Sequence, residues 1–145
     1  MFPHVVTVFN SYEDDDLKMR YSVTILRGVL LDVSKGTNVA KTGLIDADAA
    51  TLYIPFSVEA VSTTGDKKTY ADPKVFYAAK DQQSLWTLDS GGQSNSTSTY
   101  FVKGEVSEMM SLKELRQAYD FAYDVSTVDV RDFGGEMRHW QVGGK

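Results

Sequence analysis

Apolar residues recur along this chain mostly at every second position. In YSVTILRGVLLDV, Tyr21, Val23, Ile25, Val29, Leu31 and Val33 fall on alternate residues, with Arg27 interrupting the set. Successive side chains of a strand point to opposite faces, so this pattern predicts a long strand with one buried side. Gly28 lies in its middle, where a missing side chain favours a bend or a close backbone approach. A second alternation, TLYIPFSVEAV, puts Leu52, Ile54, Phe56, Val58 and Ala60 on one face. Pro55 has no N–H to give to a ladder, which places an edge or a bulge there.

Shorter stretches follow the same logic: HVVTVFN, SLWTLD, TYFVKGEV, YDVSTVDV and RHWQV. The chain therefore reads as mainly β, a small antiparallel barrel or sandwich of about seven strands with one or two short helices. SLKELRQAYDF is the clearer helix, with Ser111 and Glu114 at capping-box spacing and Leu112, Leu115 and Tyr119 on one face. ADPKVFYAAKD offers Asp72 as N-cap and Pro73 at the first helical position, enough for a short helix or a turn. Three segments read as loops. SYEDDDLK joins the first two strands and carries four consecutive acids. SKGTNVAKTGLIDADAA is long for an ordered connection. DSGGQSNSTST has no apolar residue to anchor it and reads as a flexible hairpin tip.

At 145 residues, one domain spanning 1–145 is expected, and it needs no disulfide or metal to fold. Cysteine is absent, which removes thiol catalysis, thiolate metal sites and disulfides. The net charge of −5, without a Lys/Arg run, gives no footprint for sequence-specific nucleic acid. The N-terminus lacks the pattern of a signal peptide, and no stretch approaches the apolar length of a membrane span, so no membrane partner is expected.

Chemistry finds little support. His4 and His139 stand near opposite ends of the chain in strand-like contexts, with no nucleophile motif beside either. Glu13, Asp14, Asp15 and Asp16 could recruit a hard cation, but they lack calcium-loop spacing and read better as a solvated tip. Asp46 and Asp48 lack the downstream glycine and acid of such a loop. The expectation is no enzyme, no metal and no cofactor. Aromatic residues make up 12% of the chain; most should be core, while Tyr12, Tyr53 and Tyr70 lie off the apolar stripes or in loops.

Several stretches carry a resemblance: VTILRGVLLDVSKGTNVAKTGLIDADAATLYIPFSVEA, then LWTL, YFVKGEV and the closing VSTVDVRDFGGEMRHWQVGGK. In this order they resemble a family of small proteins encoded in phages and prophages of Gram-positive bacteria, among virion structural genes. The architecture also resembles head-completion or head-tail joining proteins, small barrels with long loops that assemble as rings. The resemblance implies a virion location, with the host cytoplasm during assembly. It also implies that the partners are portal, adaptor or tail proteins and copies of the chain itself. Tail-terminator and minor capsid roles fit the same profile.

The expected function is thus a non-enzymatic head-tail connector subunit acting through assembly. Its expected interface elements are the Glu13–Asp16 tip, the Lys35–Ala50 loop with Lys35, Asn38, Lys41, Asp46 and Asp48, and the Gly91–Thr99 tip with Asn95. The alternative is a small ligand-binding barrel in which Trp86, Trp140, Phe101 and Tyr100 line a cavity. In the tail MRHWQVGGK, alternation groups Arg138, Trp140 and Val142, with Trp140 expected as a core plug. The two glycines before Lys145 are expected to free the end.

Overall fold

The computed structural model describes residues 3–33, 50–90, 98–132 and 138–145. Its strands are β1 (His4–Glu13), β2 (Met19–Val33), β3 (Ala50–Pro55), β4 (Glu59–Val61), β5 (Thr69–Tyr70), β6 (Leu85–Trp86), β7 (Ser98–Lys103), β8 (Ala122–Arg131) and β9 (His139–Gly144). Two short helices accompany them, α1 (Pro73–Ala78) and α2 (Leu112–Ala118). Six strands in the order β1-β7-β8-β9-β3-β2 form an antiparallel ring, closed because β1 also pairs with β2. Closure pairs each of the six ring strands on both sides, so β4 is the strand left at the edge of this sheet. β4 adds one extra strand along β2, and β5 pairs in parallel with β6 apart from the wall.

The long second strand does bend at Gly28, and the bend changes which residues face inward. His4 pairs with Val29 but Val5 with Arg27, so Gly28 is an extra residue in β2. Its φ of +89° is open to glycine and strained for other residues. One inserted residue reverses the parity of a strand. Before the bulge the interior receives Ser22, Thr24 and Leu26; after it, Val29 and Leu31. The single buried stripe read from the sequence is therefore corrected. Val23 and Ile25 lie on the outer face, and they are buried there as well.

β3 follows its expected face, with Ala50, Leu52 and Ile54 inward, opposite Trp140 and Val142 of β9. β3 ends at Pro55, although the Phe56 N–H still reaches the Arg138 carbonyl at 3.1 Å. The chain turns through Val58, whose N–H reaches the Pro55 carbonyl, and resumes as β4. SLWTLD departs from expectation because it forms no wall strand. Trp86 and Leu88 instead join the inner cluster, and Asn10 on β1 grips Thr87 at both backbone groups, at 2.8 and 3.2 Å.

Outside the barrel, Phe9, Val23, Tyr100, Val102 and Ala122 form a second cluster under Val106, Met110, Leu112 and Leu115. The helix carrying Leu115 starts as its sequence predicts. Ser111 and Glu114 form a complete capping box. Tyr119 ends that helix and is 39% exposed, so it does not share the buried face assigned to it. α1 starts at Pro73, with Asp72 in the N-cap position making no side-chain cap bond.

Trp140 is a core plug, in ring contact with Phe56, Tyr70 and Trp86. Tyr12 and Tyr70 likewise pack inward, Tyr12 edge-on to Phe76. The end of the chain is not freed by its glycines. Gly143 and Gly144 are buried in β9, between β3 and β8, and Lys145 exchanges both backbone hydrogen bonds with Asp124, at 2.9 and 3.0 Å.

Candidate functional site

Of the four acids at 13–16, Asp14 has a structural role. Asp14 organises the β1–β2 turn. One carboxylate oxygen accepts from the Asp16 and Lys18 N–H groups, each at 2.9 Å, and the other meets Arg20 Nε at 2.8 Å. The Arg20 side chain, then the Lys18 N–H, hold its carboxyl below the usual carboxylate range. Backbone bonds from Asp14 N–H to Lys18 and from Leu17 N–H to Asp14 close the turn. Glu13, Asp15 and Asp16 stand exposed around it.

The feature missed at this tip is Leu17. It is the one non-glycine residue at positive φ among the described residues, at +61°, and its side chain is 80% exposed. Sequence gave no signal for it, because DDDLK is compatible with many turns.

A second place collects polar side chains on the outer surface. The Ser62–Lys68 turn and the Gly104–Met109 segment flank two adjoining cavities of about 370 and 440 Å³. Val23, Ile25 and Val61, all buried, form the floor, and Met109, 64% exposed, forms one lip. Arg27 crosses the groove, bonded to Glu59 on β4 and to Glu105. Lys68 is buried at the groove's inner end, donating to Ser22 Oγ and the Val23 carbonyl. Burial lowers its pKa to about 8, opposed by Asp81. The TTGDKK sequence announces a turn at Gly65, but nothing in it separates a buried lysine from its exposed neighbour Lys67.

The remaining candidates stay apart. His4 Nδ1 accepts from the Leu31 N–H at 2.9 Å, so this ring caps a strand just past the bulge. The His139 ring packs 5.9 Å from that of Tyr53. Trp86, Trp140 and Phe101 pack together inside the barrel, whereas Tyr100 faces outward against Phe9, so the four do not line one cavity. Lys35, Asn38, Lys41, Asp46, Asp48 and Asn95 lie outside the described residues. Of the Gly91–Thr99 tip, Ser98 and Thr99 already belong to β7. Among the described residues no group of three or more acids and histidines is placed to hold a metal ion, and no helix is long and apolar enough to cross a membrane.

These features define a small closed antiparallel barrel, filled by its own side chains and strapped by one helix. The chain belongs to the family of unknown function DUF6751, whose model matches residues 2–145. No curated protein and no solved structure matches it.

Proposed function

We propose that this protein is a non-enzymatic structural subunit of a phage particle, a connector ring component that joins head to tail through protein–protein assembly. The observation that supports the reading best is the filled barrel. Trp86, Phe101, Leu26, Leu52 and Ile54 are all at most 1% exposed inside it, which leaves the outer surface and the loops to do the work. A compact closed wall with a structured acidic tip suits a subunit that must keep its shape while neighbours pack around it. The long connection between β2 and β3, which lies outside the described residues, is the main loop of the interface in this reading. Its partners in this reading are portal, adaptor or tail proteins and further copies of the chain, in the virion and in the host cytoplasm during assembly.

The test is the mass of the purified protein in solution, alone and mixed with the portal and tail proteins encoded with it. A complex that forms with either protein supports the connector role, and deletion of residues 35–49 should weaken it. A chain that ignores both proteins and instead retains a small molecule would replace this reading with the ligand-binding barrel.

A further inference from the structure

β8 outruns its neighbour on one side of the wall. β9 pairs with it from Val125 to Arg131, whereas β7 pairs with it only from Ala122 to Asp124. The direction of the backbone groups beyond that point follows from β9. The Arg138 carbonyl accepts from the Phe56 N–H on the β3 side. By alternation, His139 and Gln141 turn their N–H and C=O groups toward β8, where they meet Arg131 and Asp129. Val128 and Val130 therefore aim theirs the other way, at an edge where no described strand lies. A row of unpaired backbone groups is a template for another strand.

The side chains along this edge suit pairing. Residues 127–131, TVDVR, include no proline and no lysine, two common devices that blunt an edge. Val130 is 61% exposed, although it lies opposite Trp140 on the inner side of the hairpin. Asp129 and Arg131 share the outer side, opposite Gln141 and His139, and neither is held in a salt bridge among the described residues. Opposite charges two residues apart on an unpaired strand complement the same strand running antiparallel. One strand carries both halves of the match, which commits the edge to a second copy of this chain.

We propose that the β8 edges of two copies pair antiparallel about a two-fold axis at Val130, joining the two barrel walls into one sheet. In this register the two Val130 residues exchange both backbone hydrogen bonds and cover each other's side chains. Asp129 of each copy then lies opposite Arg131 of the other, in the closer, non-hydrogen-bonded position. The same charges exclude the adjacent registers, since an axis at 129 or at 131 would set Asp129 against Asp129 or Arg131 against Arg131. The contact is isologous and closes at two copies, unlike the contacts of a ring. It goes beyond the connector role and fails separately from it, because it needs no portal or tail protein.

Sedimentation velocity of the purified chain, from low micromolar to near-millimolar concentration, tests the pairing together with amide hydrogen exchange at both ends of that range. A short edge buries less than a standard interface, so wild type should form a weak dimer in the upper part of the range. The Val128 and Val130 amides should exchange more slowly there than at low concentration. Asp129→Arg and Arg131→Asp each set like charges opposite one another twice, and each should weaken the dimer at least about tenfold. An equimolar mixture of the two variants restores both complementary pairs and should dimerise as wild type does. A wild type that stays monomeric throughout would overturn the proposal. So would single variants that dimerise like wild type, a mixture that fails to recover, or a dimer whose Val128 and Val130 amides exchange as fast as in the monomer.

Discussion

Two parts of the barrel interior are built on different physics. In one, Trp140, Trp86, Tyr70 and Phe56 meet ring to ring at centroid distances of 4.4 to 5.6 Å, beside Ile54 and Leu52. In the other, Asn10, Ser22, Thr24, Thr87 and Thr99 are buried, with Lys68 reaching Ser22 from the side groove, and hydrogen bonds fix the inserted Trp86–Asp89 segment to the wall. Apolar burial is non-directional and tolerates substitution by similar volumes. A polar network specifies one arrangement and is costly when any member loses its partner. The aromatic part therefore supplies bulk stability, while the polar part decides where the 85–89 segment lies.

Substitutions can break that contrast in graded steps. Trp86→Ala should be the most damaging, at about 3–5 kcal/mol, because a fully buried indole leaves a cavity among rings that cannot collapse. Its urea midpoint, followed by Trp140 fluorescence, measures this. Asn10→Ala should cost about 2–3 kcal/mol by leaving the Thr87 N–H and carbonyl without their Asn10 partner. Hydrogen exchange should then show the 85–89 amides losing protection ahead of the wall strands, an outcome that Trp86→Ala would not mimic. Gly144→Ala should cost about 1–3 kcal/mol by overpacking, since a Cβ there would lie 2.8 Å from Tyr123 Cβ and 2.9 Å from a Phe101 ring carbon.

Lys68 sharpens the comparison through pH. Its folded pKa of about 8 lies below its ordinary value of 10.5, so between these the unfolded chain binds more protons. Stability should therefore rise with pH from about 8 toward 10, by at most roughly 2–3 kcal/mol. Tyr70 acts in the opposite sense. Burial pushes its pKa up to about 12 from 10.0, so the unfolded chain loses that proton first and stability falls above pH 10. Denaturation midpoints across this range should show a maximum near pH 10. Lys68→Met should abolish the rise and keep the fall. The smallest effect is expected at Thr24, whose buried hydroxyl has no hydrogen-bond partner among the described residues. Thr24→Val should be stabilising by about 1 kcal/mol, in contrast with the loss at Asn10.

Legibility in the sequence followed the range of the interaction. The capping box at Ser111 and Glu114, the proline that opens α1 and the bend at Gly28 all act within a few residues, and all were readable; Pro55 was read as an edge or a bulge, whereas β3 lies between β2 and β9 and ends there. Trp140 as a core plug followed from alternation alone. The side chosen by each residue of β2 did not, because the Gly28 bulge changes parity and both faces of that strand are covered. A covered outer face makes Val23 look like a continuation of the inner stripe, when it packs beneath α2.

The candidate sites divide in the same way. The acidic run at 13–16 was visible, but not that Asp14 is spent on the turn while Leu17 is forced outward. The groove was not visible, since its walls at 62–68 and 104–109 are distant in sequence and meet only because β4 and β7 flank the β1–β2 pair. Sequence by itself determined the class of fold, through period-two patterning and local turn chemistry that need no partner to act. Tertiary structure alone decided the closure of the ring, the placement of 85–89 inside it and the burial of Lys68. Each depends on pairing or solvent exclusion between segments whose separation along the chain carries no trace of their contact.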